Sequence, residues 1–126
     1  MMAEDKAVII LGHGSRNKQA QLEFFDFVES VKEKQPDLCI EQASMELSPP
    51  DIPTLVNKLY NKGVRSIVVA PFFLFRGMHI VKDIPEIIEE QKSKYPDLNI
   101  VMSKGLLPDE RLEEIVIERI REVVDV

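Results

Sequence analysis

Histidine occurs twice in this chain, as His13 and His79, and each lies in a glycine-containing turn directly after an apolar run. The first turn, Leu11-Gly12-His13-Gly14-Ser15-Arg16, is entered from Val8-Ile9-Ile10. The second, Phe75-Arg76-Gly77-Met78-His79, is entered from Ile67-Val68-Val69-Ala70-Pro71-Phe72-Phe73-Leu74. Imidazole is the commonest metal-ligating side chain and titrates near neutral pH. A converging pair points to transient metal handling or to proton transfer. Two histidines fall short of the four protein ligands of a structural zinc site and of the three usual in a catalytic one. Open coordination of that kind suits an ion that is handed on. Each residue also has a plain reading: His13 as an incidental member of a tight strand-to-helix turn, His79 as a helix N-terminal residue with no role.

Around these two positions the residue types are suggestive. Gly12 and Gly14 permit positive φ and let a bulky ligand approach the backbone. The turn they flank leads into a helix N-terminus, which favours anionic groups, so Ser15 and Arg16 are candidate anion contacts. Arg76 and Lys82 add positive charge beside the second turn. Glu46, in Met45-Glu46-Leu47-Ser48-Pro49-Pro50, can reach the same edge or can be a solvated loop carboxylate. The run Pro71-Phe72-Phe73-Leu74-Phe75 is apolar and aromatic where a loop is expected. It reads as a wall for a large flat ligand, as a hydrophobic plug, or as a subunit interface.

These residues need a scaffold, and the alternation of apolar and amphipathic runs supplies one. Ala7–Leu11 reads as a strand, followed by a helix over Lys18–Lys34 with Phe24, Phe27, Val28 and Val31 on one face. Leu38–Met45 is a second strand, in which Cys39 reads as a small buried hydrophobe. Asp51 caps a helix carrying Leu55, Val56 and Leu59, which Gly63 closes. Ser66–Ala70 is the third strand, and a helix from about Val81 to Lys94 turns Val81, Ile84, Ile87 and Ile88 inward. Pro85 falls near its start, where a missing amide proton is least costly. Leu98–Met102 is a fourth strand. Asp109 opens a last helix with the apolar stripe Leu112, Val116, Ile120 and Val123, expected to be buried.

Four βα units in succession predict an α/β fold: an open, four-stranded parallel sheet with helices on both faces, in the order 2-1-3-4. Ligands of such sheets bind beyond the carboxyl ends of the strands where the order reverses. That point lies between strands one and three, which carry His13 and His79.

Bulk composition narrows the function further. The chain of 126 residues fits a single domain, 1–126. A net charge of −6 argues against nucleic acid, which needs a basic face. No apolar run is long enough to span a bilayer and no signal-peptide pattern opens the sequence, so neither a membrane nor export is expected. With one cysteine there is no intrachain disulfide, and the expected setting is cytoplasmic.

Taken together, the Leu11–Arg16 turn, the Glu46 segment and Pro71-Phe72-Phe73-Leu74…Gly77-Met78-His79…Asp83-Ile84-Pro85 resemble the short archaeal-type sirohydrochlorin chelatases, the small CbiX-type members of the class II chelatases. The resemblance runs along essentially the whole chain. It implies a chelatase-like half-lobe that works as a homodimer and inserts Co²⁺, or Ni²⁺, into sirohydrochlorin during cobalamin or related tetrapyrrole biosynthesis. It further implies metal on His13 and His79, with His13 as proton acceptor. Substrate contacts would fall on Glu46, Leu74, Phe75, Arg76, Gly77, Met78 and His79. Insertion displaces two pyrrole N–H protons, one of which a neutral imidazole can accept. The carboxylate rim of the macrocycle suits Arg16 and Arg76, and its flat face suits the phenylalanine wall. No organic cofactor is needed. The sequence lacks a histidine-rich segment, so metal storage is not indicated.

Two enzyme-like alternatives fit worse. A histidine phosphatase places arginine immediately before the strand-one histidine, where this chain has Gly12. A phospho-receiver domain needs acidic residues at the places held by Gly12-His13 and Ala70-Pro71. A carrier of metal or tetrapyrrole without turnover needs the same walls as a chelatase and is separable from it only by assay.

Overall fold

The computed structural model of the protein describes residues 5–124. Strand β1 (Lys6–Gly12) lies between β2 (Ile40–Ser44) and β3 (Ser66–Pro71), and β4 (Asn99–Met102) flanks β3 on the outside. All three pairings are parallel, giving the order β2-β1-β3-β4 that the alternation of elements predicts. Helices α1 (Lys18–Lys34), α2 (Ile52–Asn61), α3 (Ile84–Lys94) and α4 (Glu110–Arg121) follow the strands in turn.

The period-two alternation of β1 decides which helix covers which face. Ala7, Ile9 and Leu11 point into the larger core, where they meet Leu55, Val56 and Leu59 of α2 and Ile84 and Ile88 of α3. Val8 and Ile10 point the other way, against Phe24, Val28 and Val31 of α1. Asp51 and Asp109 cap their helices as the sequence suggests, and Asn17 caps α1 as well. Asn17 accepts from the Ala20 amide at 3.0 Å and Asp51 from the Thr54 amide at 2.9 Å. The hydrogen bonds from Thr54 hold the Asp51 carboxyl below the usual carboxylate range. Asp109 caps α4 and is gripped by the Arg111 side chain, which lowers its carboxyl to about 2. A depressed carboxylate stabilises the fold above its ordinary pKa, so this cap's contribution is complete above 3.8 and disappears as pH falls toward 2.

Four expectations fail, each for a physical reason. Strand β2 starts only at Ile40, because the turn after α1 continues through Leu38, whose amide donates to Gln35. Cys39 is therefore exposed at the head of an edge strand, not a buried hydrophobe. Val81 is 63% exposed because the chain enters α3 through a wider π-helical turn, His79–Asp83, which rotates it off the inward face. Finally, α4 buries none of its residues: Leu112 is half-buried, Val116 and Ile120 are exposed, and so is Val123 just beyond the helix end. No other element among the described residues covers its apolar stripe. Among those residues, no helix is long and apolar enough to cross a membrane.

Candidate metal centre

The site is assembled just past the carboxyl ends of β1, β2 and β3. Beyond the last β1–β2 pair, Gly12 opposite Ser44, the two chains stay laced together. The Met45 amide donates to the Gly12 carbonyl at 3.0 Å and the Glu46 amide to the His13 carbonyl at 3.1 Å. This extension of the ladder sets Glu46 beside His13. It requires glycine at position 14, where φ is 101° and a Cβ would lie 1.7 Å from the Glu46 carbonyl oxygen.

On the other side, the Phe72 amide donates to the Leu11 carbonyl at 2.7 Å and continues β3 along β1. The chain then leaves the sheet as the exposed loop Leu74-Phe75-Arg76-Gly77-Met78 and returns in the π-helical turn that begins with His79. Buried Ile80 anchors that turn in the core, which holds His79 over the crevice.

Convergence is close. The His13 and His79 rings meet edge to face with centroids 4.9 Å apart. His13 Nε2 lies 3.7 Å from Glu46 Oε1, and one donor atom from each of His13, Glu46 and His79 falls within 4.8 Å of the others. Donors on a single ion at about 2.1 Å stand about 3.4 Å apart in tetrahedral geometry. The trio is thus slightly open, and small side-chain rotations would close it. His13 and Glu46 have that freedom, with half of each side chain exposed. Phe73 limits it for the other ring, stacking on His79 at 5.9 Å with an interplanar angle of 16° and meeting the His13 ring edge at 6.2 Å. Two imidazoles and one carboxylate form a mixed N/O donor set suited to first-row divalent ions.

The remaining sequence candidates divide into two groups. Leu74, Phe75, Arg76, Gly77 and Met78 are exposed along the loop that leads into His79, forming a rim. Ser15 is engaged locally: its Oγ accepts from the Asn17 amide and its own amide donates to Ser48 Oγ, while Arg16 is exposed beside it. Beside the trio, rather than over it, opens a cleft of about 710 Å³. His13 and Ser15 border it, with Phe24 and Phe25 of α1, Phe72, and Ser48 after β2. Its size is in the range of small-molecule sites. The α1 side of the site was not visible in the sequence, where Phe24 reads simply as core. Nor was Asp83, although its position four residues after His79 is a detectable signal.

This arrangement has known counterparts. The CbiX family model matches residues 7–123. The chain is 33% identical over 114 residues to the chloroplastic sirohydrochlorin ferrochelatase of Arabidopsis thaliana, covering 90% of this chain and 51% of that protein. It is 30% identical over 138 residues to the sirohydrochlorin cobaltochelatase of Methanocaldococcus jannaschii, covering 90% and 96%. The crystal structure of the sirohydrochlorin chelatase SirB from Bacillus subtilis subspecies spizizenii, in complex with cobalt, superposes with a TM-score of 0.88 at 33% identity. That match covers 94% of this chain and 51% of SirB. The chain spans about half the length of the chloroplast and Bacillus proteins and nearly all of the archaeal one. With its sheet order, its element sequence and nearly all its residues matched, the chain belongs to the CbiX family.

Proposed function

We propose that this protein is a sirohydrochlorin chelatase that inserts a divalent metal ion, Co²⁺ and also Ni²⁺, into the macrocycle. The observation that carries the reading is the convergence of His13, Glu46 and His79 within 4.8 Å at the switch point of a CbiX-family sheet. In this mechanism His13 and His79 take the ion from solution, and the macrocycle lies against the rim Leu74–Met78. One M²⁺ enters the ring and two pyrrole N–H protons leave, one to His13 and the other to water. Glu46 contacts the macrocycle or completes the ion's donor set, and Arg16 and Arg76 pair with peripheral carboxylates. Metal and sirohydrochlorin are both substrates, and the chemistry calls for no organic cofactor.

Turnover tests this reading. Purified protein with excess sirohydrochlorin and metal should shift the macrocycle's absorbance through many equivalents. A shift that stops at one equivalent would make the protein a carrier. Nickel binds imidazole sites at least as tightly as cobalt, and tighter binding slows release to the ring. Cobalt should therefore give the faster initial rate at equal free metal, with nickel measurable. Ferrous iron belongs in the same assay, because relatives include a ferrochelatase. No rate with cobalt would overturn the metal assignment.

We also propose that the working unit is a twofold homodimer. Val116 and Ile120 of α4 are exposed, as are Val123 just beyond the helix and Phe72 beside the cleft, and large apolar patches are usually covered. Light scattering at micromolar concentration should give twice the mass of the chain. A monomer with full activity would refute this assembly.

A further inference from the structure

We propose that Asp83 is a positioning residue of the metal site, its carboxylate keeping the ring proton of His79 on Nδ1 so that Nε2 faces the ion. The inference rests on the chelatase reading and deepens it.

Four observations carry it. His79 Nδ1 is fully buried and makes no aligned hydrogen bond, yet Asp83 Oδ2 lies 3.3 Å away. The Asp83 carboxylate caps no helix, and among the described residues it makes no other ion pair. Both residues belong to the π-helical turn, closed by the Ile84 amide donating to the His79 carbonyl, five residues back. Four residues apart, the two side chains share one face of that turn, and π-helical turns recur at functional sites. Lastly, Phe73 stacks on the ring and fixes its plane, leaving the tautomer as the remaining choice.

Chemistry then selects the tautomer. With the proton on Nε2, the Nδ1 lone pair would face a carboxylate oxygen at 3.3 Å with nothing between them. With the proton on Nδ1, the same pair attract, and a slight turn of either side chain completes the hydrogen bond. Catalytic hydrogen bonds are often loose before substrate binds and tighten afterwards. Buried Nδ1 is in any case closed to an ion arriving from solvent, so Nε2 is the nitrogen that can ligate. A carboxylate behind a ligating imidazole fixes its orientation and raises its basicity, and losing such a partner typically weakens metal binding 10–100-fold.

The test starts on metal-free protein, using long-range ¹H–¹⁵N NMR of the His79 ring. The wild type should show the Nδ1–H tautomer. Asp83→Ala should move it toward Nε2–H and weaken Co²⁺ binding about 10–100-fold in a spectrophotometric titration. Asp83→Asn, whose side-chain oxygen still accepts from Nδ1–H, should keep the tautomer and most of the affinity. A purely structural Asp83 would alter folding stability without moving the tautomer. An Nε2–H ring in the wild type, or an Nδ1–H ring retained in Asp83→Ala, overturns the proposal, and the wild-type spectrum suffices if the alanine variant does not fold. Cobalt affinity unchanged in His79→Ala would instead remove the metal-site reading, leaving the tautomer result standing.

Discussion

In the His13→Ala variant, metal insertion is expected to fall below detection while the protein stays folded. The two halves of that result have separate causes. Half of the His13 side chain is exposed, and substitutions at such positions usually change stability by no more than about 0.5 kcal/mol. In the proposed mechanism its chemistry is not replaceable locally: it would be both a donor to the ion and the group that takes a pyrrole proton. Loss of a general base alone slows a reaction about 10²- to 10⁴-fold. His79→Ala removes a donor but leaves the proton acceptor, so its rate should be severely reduced yet above the His13→Ala background. Initial rates with cobalt, alongside circular dichroism of each variant, check the ordering. Wild-type turnover in a correctly folded double alanine variant would sink the assignment.

Gly14→Ala should be nearly as damaging, although it deletes no functional group. A non-glycine residue held at a φ of 101° carries strain of about 1–3 kcal/mol. The added methyl would also sit 1.7 Å from the Glu46 carbonyl oxygen. That neighbour is backbone, so no side-chain rotation relieves the clash. The Glu46-to-His13 backbone hydrogen bond must open and the segment after β2 must move away. The expected outcome is a lower urea midpoint together with cobalt affinity reduced at least tenfold, because Glu46 and His13 part. A variant with wild-type midpoint and affinity would show that this close approach does not set the spacing of the donors.

Much of this site was legible in the linear sequence because its parts are tied to strand ends. A histidine between two glycines after an apolar run can hardly avoid the crevice once the sheet order is 2-1-3-4, and His79 follows by the same logic. Glu46 was legible as a candidate because it leaves β2 at the matching edge. What escaped notice depends on features without a sequence period. The π-helical turn rephases the start of α3, so a 3.6-residue pattern places Val81 inside where the structure exposes it. Cys39 was misplaced because turn geometry, not apolar character, fixes where an edge strand begins. The stripe on α4 is amphipathic as read, but periodicity identifies an apolar face without saying what covers it.

The three candidate donors, at positions 13, 46 and 79, lie in the segments that follow three different strands, and they meet only when β1 stands between β2 and β3. An unfolded chain scatters them. An ion that binds the folded form alone shifts the folding equilibrium by mass action, by about 2.7 kcal/mol when its free concentration is a hundred times the Kd. Under the proposed function, the ion destined for the macrocycle would thus also be a folding ligand while it waits. Each delivery would remove that reinforcement until the next ion arrived.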